Sequence, residues 1–166
     1  MAIVYLSLGS NIGDRVGYLQ QATSCLGLHS DISIVSTSSF YESEPWHMNS
    51  DNWFVNAIVQ ISTTLSPEEL LKECKKIEAQ LGRRQIKPGI YTDRTIDIDI
   101  LFYDNLILNT PELTIPHKLF HKRAFVLVPM LEIAQDFIHP LFNKTIAELY
   151  EELENPEMVC LYGTRI

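Results

Sequence analysis

The sequence predicts an α+β fold with a ferredoxin-like β-α-β-β-α-β core, extended by further helices and strands. Three observations carry this. Four short segments rich in β-branched and aromatic residues, at 3–8, 32–41, 54–61 and 95–103, are bounded by turn residues and read as strands. Two segments with apolar residues at helical spacing fall after the first and the third of them. Both helices open on a capping signal.

Taken in order, the first strand ends at the turn residues Gly9, Ser10, Asn11 and Gly13. Asp14 then caps a helix whose apolar face is Val16, Leu19, Ala22 and Leu26. The second strand, 32–41, leads into a polar loop, 42–52, and the third strand follows at 54–61. Ser66, Pro67 and Glu69 open the next helix as cap, first helical residue and capping-box partner. Its stripe is Leu70, Leu71, Cys74, Ile77 and Leu81, and Gly82 stops it. A polar loop, 83–94, precedes the fourth strand, and Asp104-Asn105 suggests a hairpin turn into 106–108. Beyond it come a loop with His117, a helical region at 123–134 that Pro129 should kink, a helix capped by Thr145 with Glu148, and a strand near 158–162. No short-period repeat, low-complexity tract or linker interrupts the chain, so residues 1–166 read as one domain.

Composition narrows the function. Hydrophobic residues make up 46% of the 166, enough for a substantial core. The net charge of −8 argues against nucleic acid or anionic lipid as a partner, so a site for an anionic ligand must be a local basic cluster. Cys25, Cys74 and Cys160 form neither a disulfide framework nor a metal knuckle. The N-terminal apolar run has no basic flank and is cut short by Gly9, so it reads as a strand and not as a signal peptide. No stretch reaches membrane-span length. A cytoplasmic location is expected.

The most informative segment is Arg94-Thr95-Ile96-Asp97-Ile98-Asp99-Ile100. Strand alternation puts Ile96, Ile98, Ile100 and Phe102 on one face, and Thr95, Asp97 and Asp99 on the other. The two aspartates then have Cα atoms about 6.6 Å apart, close enough to hold a hard cation between them. A solvated polar face is the alternative, but aspartate is depleted in strands and two in an apolar strand need a reason. The loop at 83–94 holds Arg83, Arg84, Lys87 and Arg94 against Asp93, a local charge of +3, with Pro88-Gly89 as a bend. It suits a metal-bound polyphosphate, or else is a solvated charged loop. On the third strand Val55, Ala57, Val59 and Ile61 make the core face, leaving Phe54 and Asn56 on the other. An aromatic plane beside a carboxamide can stack a flat heterocycle and hydrogen-bond its edge. The histidines show no zinc spacing, and Gly9 to Gly13 lacks the features of a phosphate-binding loop and reads as a turn.

Together, Tyr5-Leu6-Ser7-Leu8-Gly9-Ser10-Asn11, Ser39-Phe40-Tyr41-Glu42-Ser43-Glu44-Pro45, Phe54-Val55-Asn56-Ala57, Arg94 to Ile100, Leu113-Thr114-Ile115-Pro116-His117 and Arg123-Ala124-Phe125-Val126-Leu127 resemble the 6-hydroxymethyl-7,8-dihydropterin pyrophosphokinases. The resemblance implies an α/β/α sandwich acting as a monomer in folate biosynthesis, with ATP as co-substrate. It implies that Asp97 and Asp99 bind two magnesium ions, and that Phe54 and Phe125 sandwich a pterin. Asn56 and the backbone around Ser43, Glu44 and Trp46 would read the pterin's polar edge. Glu78, Ile100, Thr114, His117 and Arg123 would lie around ATP, and Arg83 and Arg94 would reach the phosphates. The family's Trp-Gly-Pro before the arginine is here Tyr91-Thr92-Asp93, with Tyr91 the aromatic nearest the tryptophan's place, and Arg84, Gln85 and Lys87 compete for a second basic contact. Two other classes are weighed: an RNA-binding ferredoxin-like module with the same element order, against which the charge argues, and a nucleotidyltransferase using Gly9-Ser10 and the Asp97–Asp99 pair, which would release pyrophosphate instead of AMP.

Overall fold

A computed structural model of the chain describes residues 1–45, 50–82 and 93–164. Trp46, Arg83, Tyr91 and the candidates Arg84, Gln85 and Lys87 lie outside the described residues, and so does most of the basic loop expected at 83–94. In chain order the elements are β1 (Ala2–Ser10), α1 (Arg15–Leu28), β2 (Ile32–Thr37), β3 (Phe40–Ser43), β4 (Phe54–Thr63), α2 (Pro67–Gln80) and β5 (Asp97–Tyr103). Then come β6 (Leu108–Asn109), β7 (Thr114–Ile115), a 3₁₀ turn (Phe120–Lys122), α3 (Ala124–Ala134), α4 (Ile146–Glu151) and β8 (Val159–Gly163).

Among the described residues, six strands form one sheet in the order β5-β1-β4-β3-β8, with β2 also paired to β4. β1 lies antiparallel between β4 and β5, the arrangement of a ferredoxin-like core. Side chains on the two sheet faces build separate cores. Val4, Leu6, Leu8, Val55, Ala57, Val59 and Ile61 pack with Leu19, Ala22 and Leu26 of α1 and Leu70, Cys74 and Ile77 of α2. Tyr5, Ile58, Leu101 and Phe102 pack on the opposite face with Val126, Leu127 and Met130 of α3 and Ile146 and Leu149 of α4. The result is three layers, helices on both sides of a sheet.

The expected helix starts are realised. The Asp14 carboxylate accepts the Gly17 amide at 3.1 Å, and both capping boxes, Ser66 with Glu69 and Thr145 with Glu148, are closed. Gly82, just past α2, has φ +88°, a conformation that a Cβ would strain. Helix α3 runs through Pro129, which is buried inside it.

Four expectations are corrected. First, β1 continues through Gly9 and Ser10, which pair with Asn56 and Val55, so Gly9 is a strand residue and not a turn. Second, the strand expected at 32–41 is two strands. At the break, Ser38 Oγ accepts the Ile58 amide at 2.8 Å, and the Ser39 amide and hydroxyl both donate to Glu132 at 2.7 Å. Serine hydroxyls here replace ladder bonds, a competition that hydrophobic patterning does not register. Third, Phe102 does not share a face with Ile98 and Ile100. Tyr5 pairs with Phe102 and Leu6 with Ile100, so Leu101 is an extra residue, and this bulge turns Phe102 onto the α3–α4 face. Fourth, the turn at Asp104 does not return a hairpin along β5. Leu108 pairs with Ile115 of β7 instead, and Leu106 and Leu108 pack against the α1–α2 core.

The second core holds a titratable group. His139 is 2% exposed, its Nδ1 accepts the Leu141 amide at 3.2 Å, and its ring stacks on Phe142. Burial, then the nearby His121, pushes its pKa down from 6.5 to about 4. Above pH 6.5 the ring is neutral in both folded and unfolded chains. As the pH falls below 6.5 the unfolded chain takes up a proton that the folded chain refuses, so stability declines until about pH 4. Urea melts at pH 7 and pH 5 should differ by about 1–2 kcal/mol from this residue. His139→Asn, which keeps an acceptor without titrating, should shrink the difference; an unchanged slope would assign it elsewhere.

Candidate active site

On three adjacent strands, one sheet face changes from apolar to polar in the same direction. Along β1 it runs Tyr5, Ser7, Gly9; along β4, Ile58, Asn56, Phe54; along β5, Leu101, Asp99, Asp97. Helices α3 and α4 cover the apolar half. Over the polar half lies a cleft of about 270 Å³, lined by Ser7, Gly9, Ser43, Glu44, Phe54, Asn56, Arg94, Asp97, Asp99, His117, Leu119, Phe120 and Phe125.

Register explains the floor. Gly9 pairs with Asn56 on one side and Asp97 on the other, and Ser7 pairs with Ile58 and Asp99. A row Asn56–Gly9–Asp97 therefore crosses the sheet, spanning about 10 Å at the usual strand spacing. The middle position must be small: a Cβ on Gly9 would stand 3.3 Å from Asn56 Oδ1 and 3.4 Å from the Phe54 ring. Glycine leaves a hollow with a carboxamide at one end and a carboxylate at the other.

Each end is held in place. Asn56 is 3% exposed, and its Nδ2 donates to Ser43 Oγ at 2.8 Å and to the Tyr41 carbonyl at 3.3 Å. With the amide nitrogen engaged, Oδ1 is the end turned toward Gly9 and the cleft. Arg94 donates from Nη1 to Asp97 Oδ2 at 3.1 Å, a partly buried pair. The Arg94 backbone is pinned by Asn11, whose Oδ1 accepts the Arg94 amide at 2.7 Å. Asn11 Nδ2 also donates to Asp93 at 2.8 Å, and Asp93 accepts further from Ser50 and Asn52. The Ser50 hydroxyl, followed by the two asparagine amides, keeps the Asp93 carboxyl below its ordinary range against the opposing effect of its partial burial. The segments leading into β4 and β5 are thus tied together beside the cleft.

His117 stacks on Phe120, ring centroids 3.7 Å apart, and burial pushes its pKa down to about 4 against the pull of Asp97. It is neutral at physiological pH. Its Nδ1 accepts the Leu119 amide at 3.4 Å, which leaves Nε2 to carry the hydrogen.

Of the residues expected at the site, Ser43, Glu44, Phe54, Asn56, Arg94, Asp97, Asp99, His117 and Phe125 come together in the cleft. Four others do not line it. Glu78 is buried behind β5, where it accepts the Ile98 amide at 2.8 Å and so holds the strand between the two aspartates. Ile100 points its side chain into the α1–α2 core. Thr114 lies in β7, and Arg123 is the residue that precedes α3. The sequence reading missed Ser7, Gly9, Leu119 and Phe120. The first two were detectable, since small residues alternate there with Leu6 and Leu8 once the strand is extended. The other two sit on irregular backbone with no period to betray them.

The carboxylate pair, the guanidinium and the aromatic walls define an α+β protein suited to a metal-bound polyphosphate next to a flat ring. The family model of 7,8-dihydro-6-hydroxymethylpterin-pyrophosphokinase (HPPK) matches residues 5–135. A 2-amino-4-hydroxy-6-hydroxymethyldihydropteridine pyrophosphokinase of Aquifex aeolicus is 39% identical over 162 residues, covering 97% of this chain and 98% of its own. One of Haemophilus influenzae is 39% identical over 161 residues, covering 97% and 99%. The folic acid synthesis protein fol1 of Pneumocystis carinii is 40% identical over 151 residues; the match takes in 90% of this chain but only 20% of that protein. A crystal structure of wild-type Plasmodium falciparum HPPK-DHPS with pteroate superposes with TM-score 0.73 at 18% identity, over 91% of this chain and 42% of that one, a likeness of fold. The chain belongs to the 7,8-dihydro-6-hydroxymethylpterin-pyrophosphokinase family. Its reaction is pyrophosphoryl transfer from ATP to hydroxymethyldihydropterin, a step of folate biosynthesis.

Proposed function

We propose that the transfer is a direct in-line displacement in the cleft over β1, β4 and β5. The pterin's hydroxymethyl oxygen attacks the β-phosphorus of ATP, the bond from that phosphorus to the α-phosphate oxygen breaks, AMP leaves, and the hydroxyl proton is lost to solvent. The observation that carries this reading is the row Asn56–Gly9–Asp97. It supports the reading because a carboxamide suited to a ring edge and a carboxylate suited to a phosphate-bound cation stand at its two ends, about 10 Å apart.

Phe54 and Phe125 would take the pterin between them, and Asn56 Oδ1 would accept from its N–H edge, with Ser43 and Glu44 alongside. Arg94 would turn from Asp97 to the phosphates and stabilise charge that develops in transfer, as would Arg83. Neutral His117 would donate from Nε2 to ATP, with Thr114 and Arg123 nearby. Glu78 and Ile100 would act through β5, the first as a strut and the second through its backbone.

Two magnesium ions fit the donors present. Among the described residues no group of three or more acidic, histidine or cysteine side chains could hold a metal by itself, but Asp97 and Asp99 offer two hard carboxylates on one strand face. Magnesium is commonly held by one or two carboxylates with substrate phosphates completing its octahedron. When bound, the ions would neutralise phosphate charge and orient the attacking and leaving oxygens.

Among the described residues no helix is long and apolar enough to cross a membrane. Three free cysteines, one of them exposed, support a reducing, cytoplasmic setting.

The test is product identity. With ATP, magnesium and 6-hydroxymethyl-7,8-dihydropterin, AMP and the pterin diphosphate should appear in equal amounts. Release of pyrophosphate with a nucleotidylated product would replace this reading with nucleotidyl transfer.

A further inference from the structure

Helix α3 places Phe125 in its first turn, yet its N-cap residue, Arg123, supplies no side-chain cap hydrogen bond. The helix is capped from far along the chain. Glu157 accepts the Ala124 amide at Oε1, 3.0 Å away, and its Oε2 lies 3.5 Å from the Phe125 amide. The next residue reaches the opposite wall of the cleft, where the Met158 amide donates to Glu44 Oε1 at 3.3 Å. Val159 then pairs with Ser43, whose hydroxyl accepts from Asn56. Two consecutive residues thus bracket the aromatic wall carried by α3 and the polar wall carried by β3. They lie well beyond residue 135, where the match to the family model ends.

We infer that Glu157 is a positioning residue for pterin binding: its carboxylate fixes the first turn of α3 and thereby the Phe125 ring. The body of α3 is held by Val126, Leu127 and Met130 in the second core. Its first turn is packed through the buried Ala124 and Val126, and the Phe125 ring lies edge-on to Phe120, but the Ala124 and Phe125 amides point to Glu157, and first-turn amides that lose their acceptor fray. A negative charge at this end also opposes the positive pole of the helix. Removing the carboxylate should therefore move Phe125 more than the remainder of the site and weaken the pterin subsite; Arg123, which also feels the Glu157 charge, loses only an acidic neighbour, so ATP should not be weakened.

This rests on the reading of Phe125 as a pterin wall, and the test separates the two. Titrating 6-hydroxymethylpterin and, separately, a non-hydrolysable ATP analogue with magnesium, Glu157→Ala should weaken the pterin about tenfold and leave the nucleotide within about twofold. Glu157→Gln, which keeps one acceptor, should recover most of the loss. Glu154→Ala, an exposed carboxylate three residues earlier, should match the wild type. In turnover the loss should appear in the pterin KM, with kcat changed little. Unchanged pterin affinity in Glu157→Ala, measured well below its Tm, overturns the inference, as does equal weakening of both ligands, which would mean general damage. If Glu157→Ala does not fold, Glu157→Asp, one methylene shorter, is held to the same criterion. A wild type that binds no pterin would refute the functional reading itself.

Discussion

Asp97→Ala and Asp99→Ala should each lower turnover by roughly 10²–10³-fold or more, the largest effect expected in this protein. Each removes one of the two carboxylates on the cleft face of β5. Among the described residues no cluster of three or more acidic, histidine or cysteine side chains offers an alternative metal site. The two variants should differ in stability. With Cα atoms about 6.6 Å apart on one strand face, the two carboxylates repel each other, so Asp99→Ala should keep or raise the Tm without ligands. Asp97→Ala also relieves that repulsion, but it deprives Arg94 of its 3.1 Å ion pair in a partly buried place, and it should gain less or lose. Thermal melts with and without magnesium and an ATP analogue provide the second readout. The wild type should be stabilised by the combination, and both variants much less. Near-normal activity in either would sink the assignment of the metal to this pair.

Asn56→Ala should be the most damaging change on the pterin side, weakening pterin binding by about 10–100-fold while ATP binding changes little. The size follows from burial. Asn56 is almost wholly enclosed, its nitrogen spent on Ser43 and Tyr41, so its oxygen has one orientation available to a ligand. A ring N–H that loses this acceptor inside the cleft finds no water in its place, and an unsatisfied buried donor costs about 1–3 kcal/mol. Asn56→Asp tests the direction of the hydrogen bond. An ionised carboxylate cannot donate to the Tyr41 carbonyl, so it should bind pterin worse than the wild type despite its equal size. Calorimetric titrations of each ligand against each variant decide. Equal losses for pterin and ATP would show that Asn56 supports the sheet and reads nothing.

Phe54 and Asn56, two residues apart on a strand, and Asp97 and Asp99, two residues apart on another, were legible because strand alternation is a local rule. The same rule extended through the wrong residue count misplaced Phe102, since one extra residue at Leu101 reverses it. Ser38 and Ser39 broke a strand by hydrogen bonds to Ile58 and Glu132, partners 20 and 93 residues away. Glu157 had no signal at all: a capping acceptor 33 residues downstream leaves no pattern at the helix it serves.

By itself, then, the sequence determined the alternation of strands and helices in the core apart from the break at Ser38-Ser39, the caps at Asp14, Ser66 and Thr145, the carboxylate pair and, through its motifs, the family. Each depends on neighbours a few residues apart, whose geometry the backbone dictates wherever the segment lies. The tertiary structure decided what those pieces face. It set Gly9 between Asn56 and Asp97, covered one half of a sheet face with α3 and α4 and left the other open, and brought Glu157 under Phe125. Those arrangements come from strand register and layer packing, which join residues far apart in the chain and are fixed only when both cores close together.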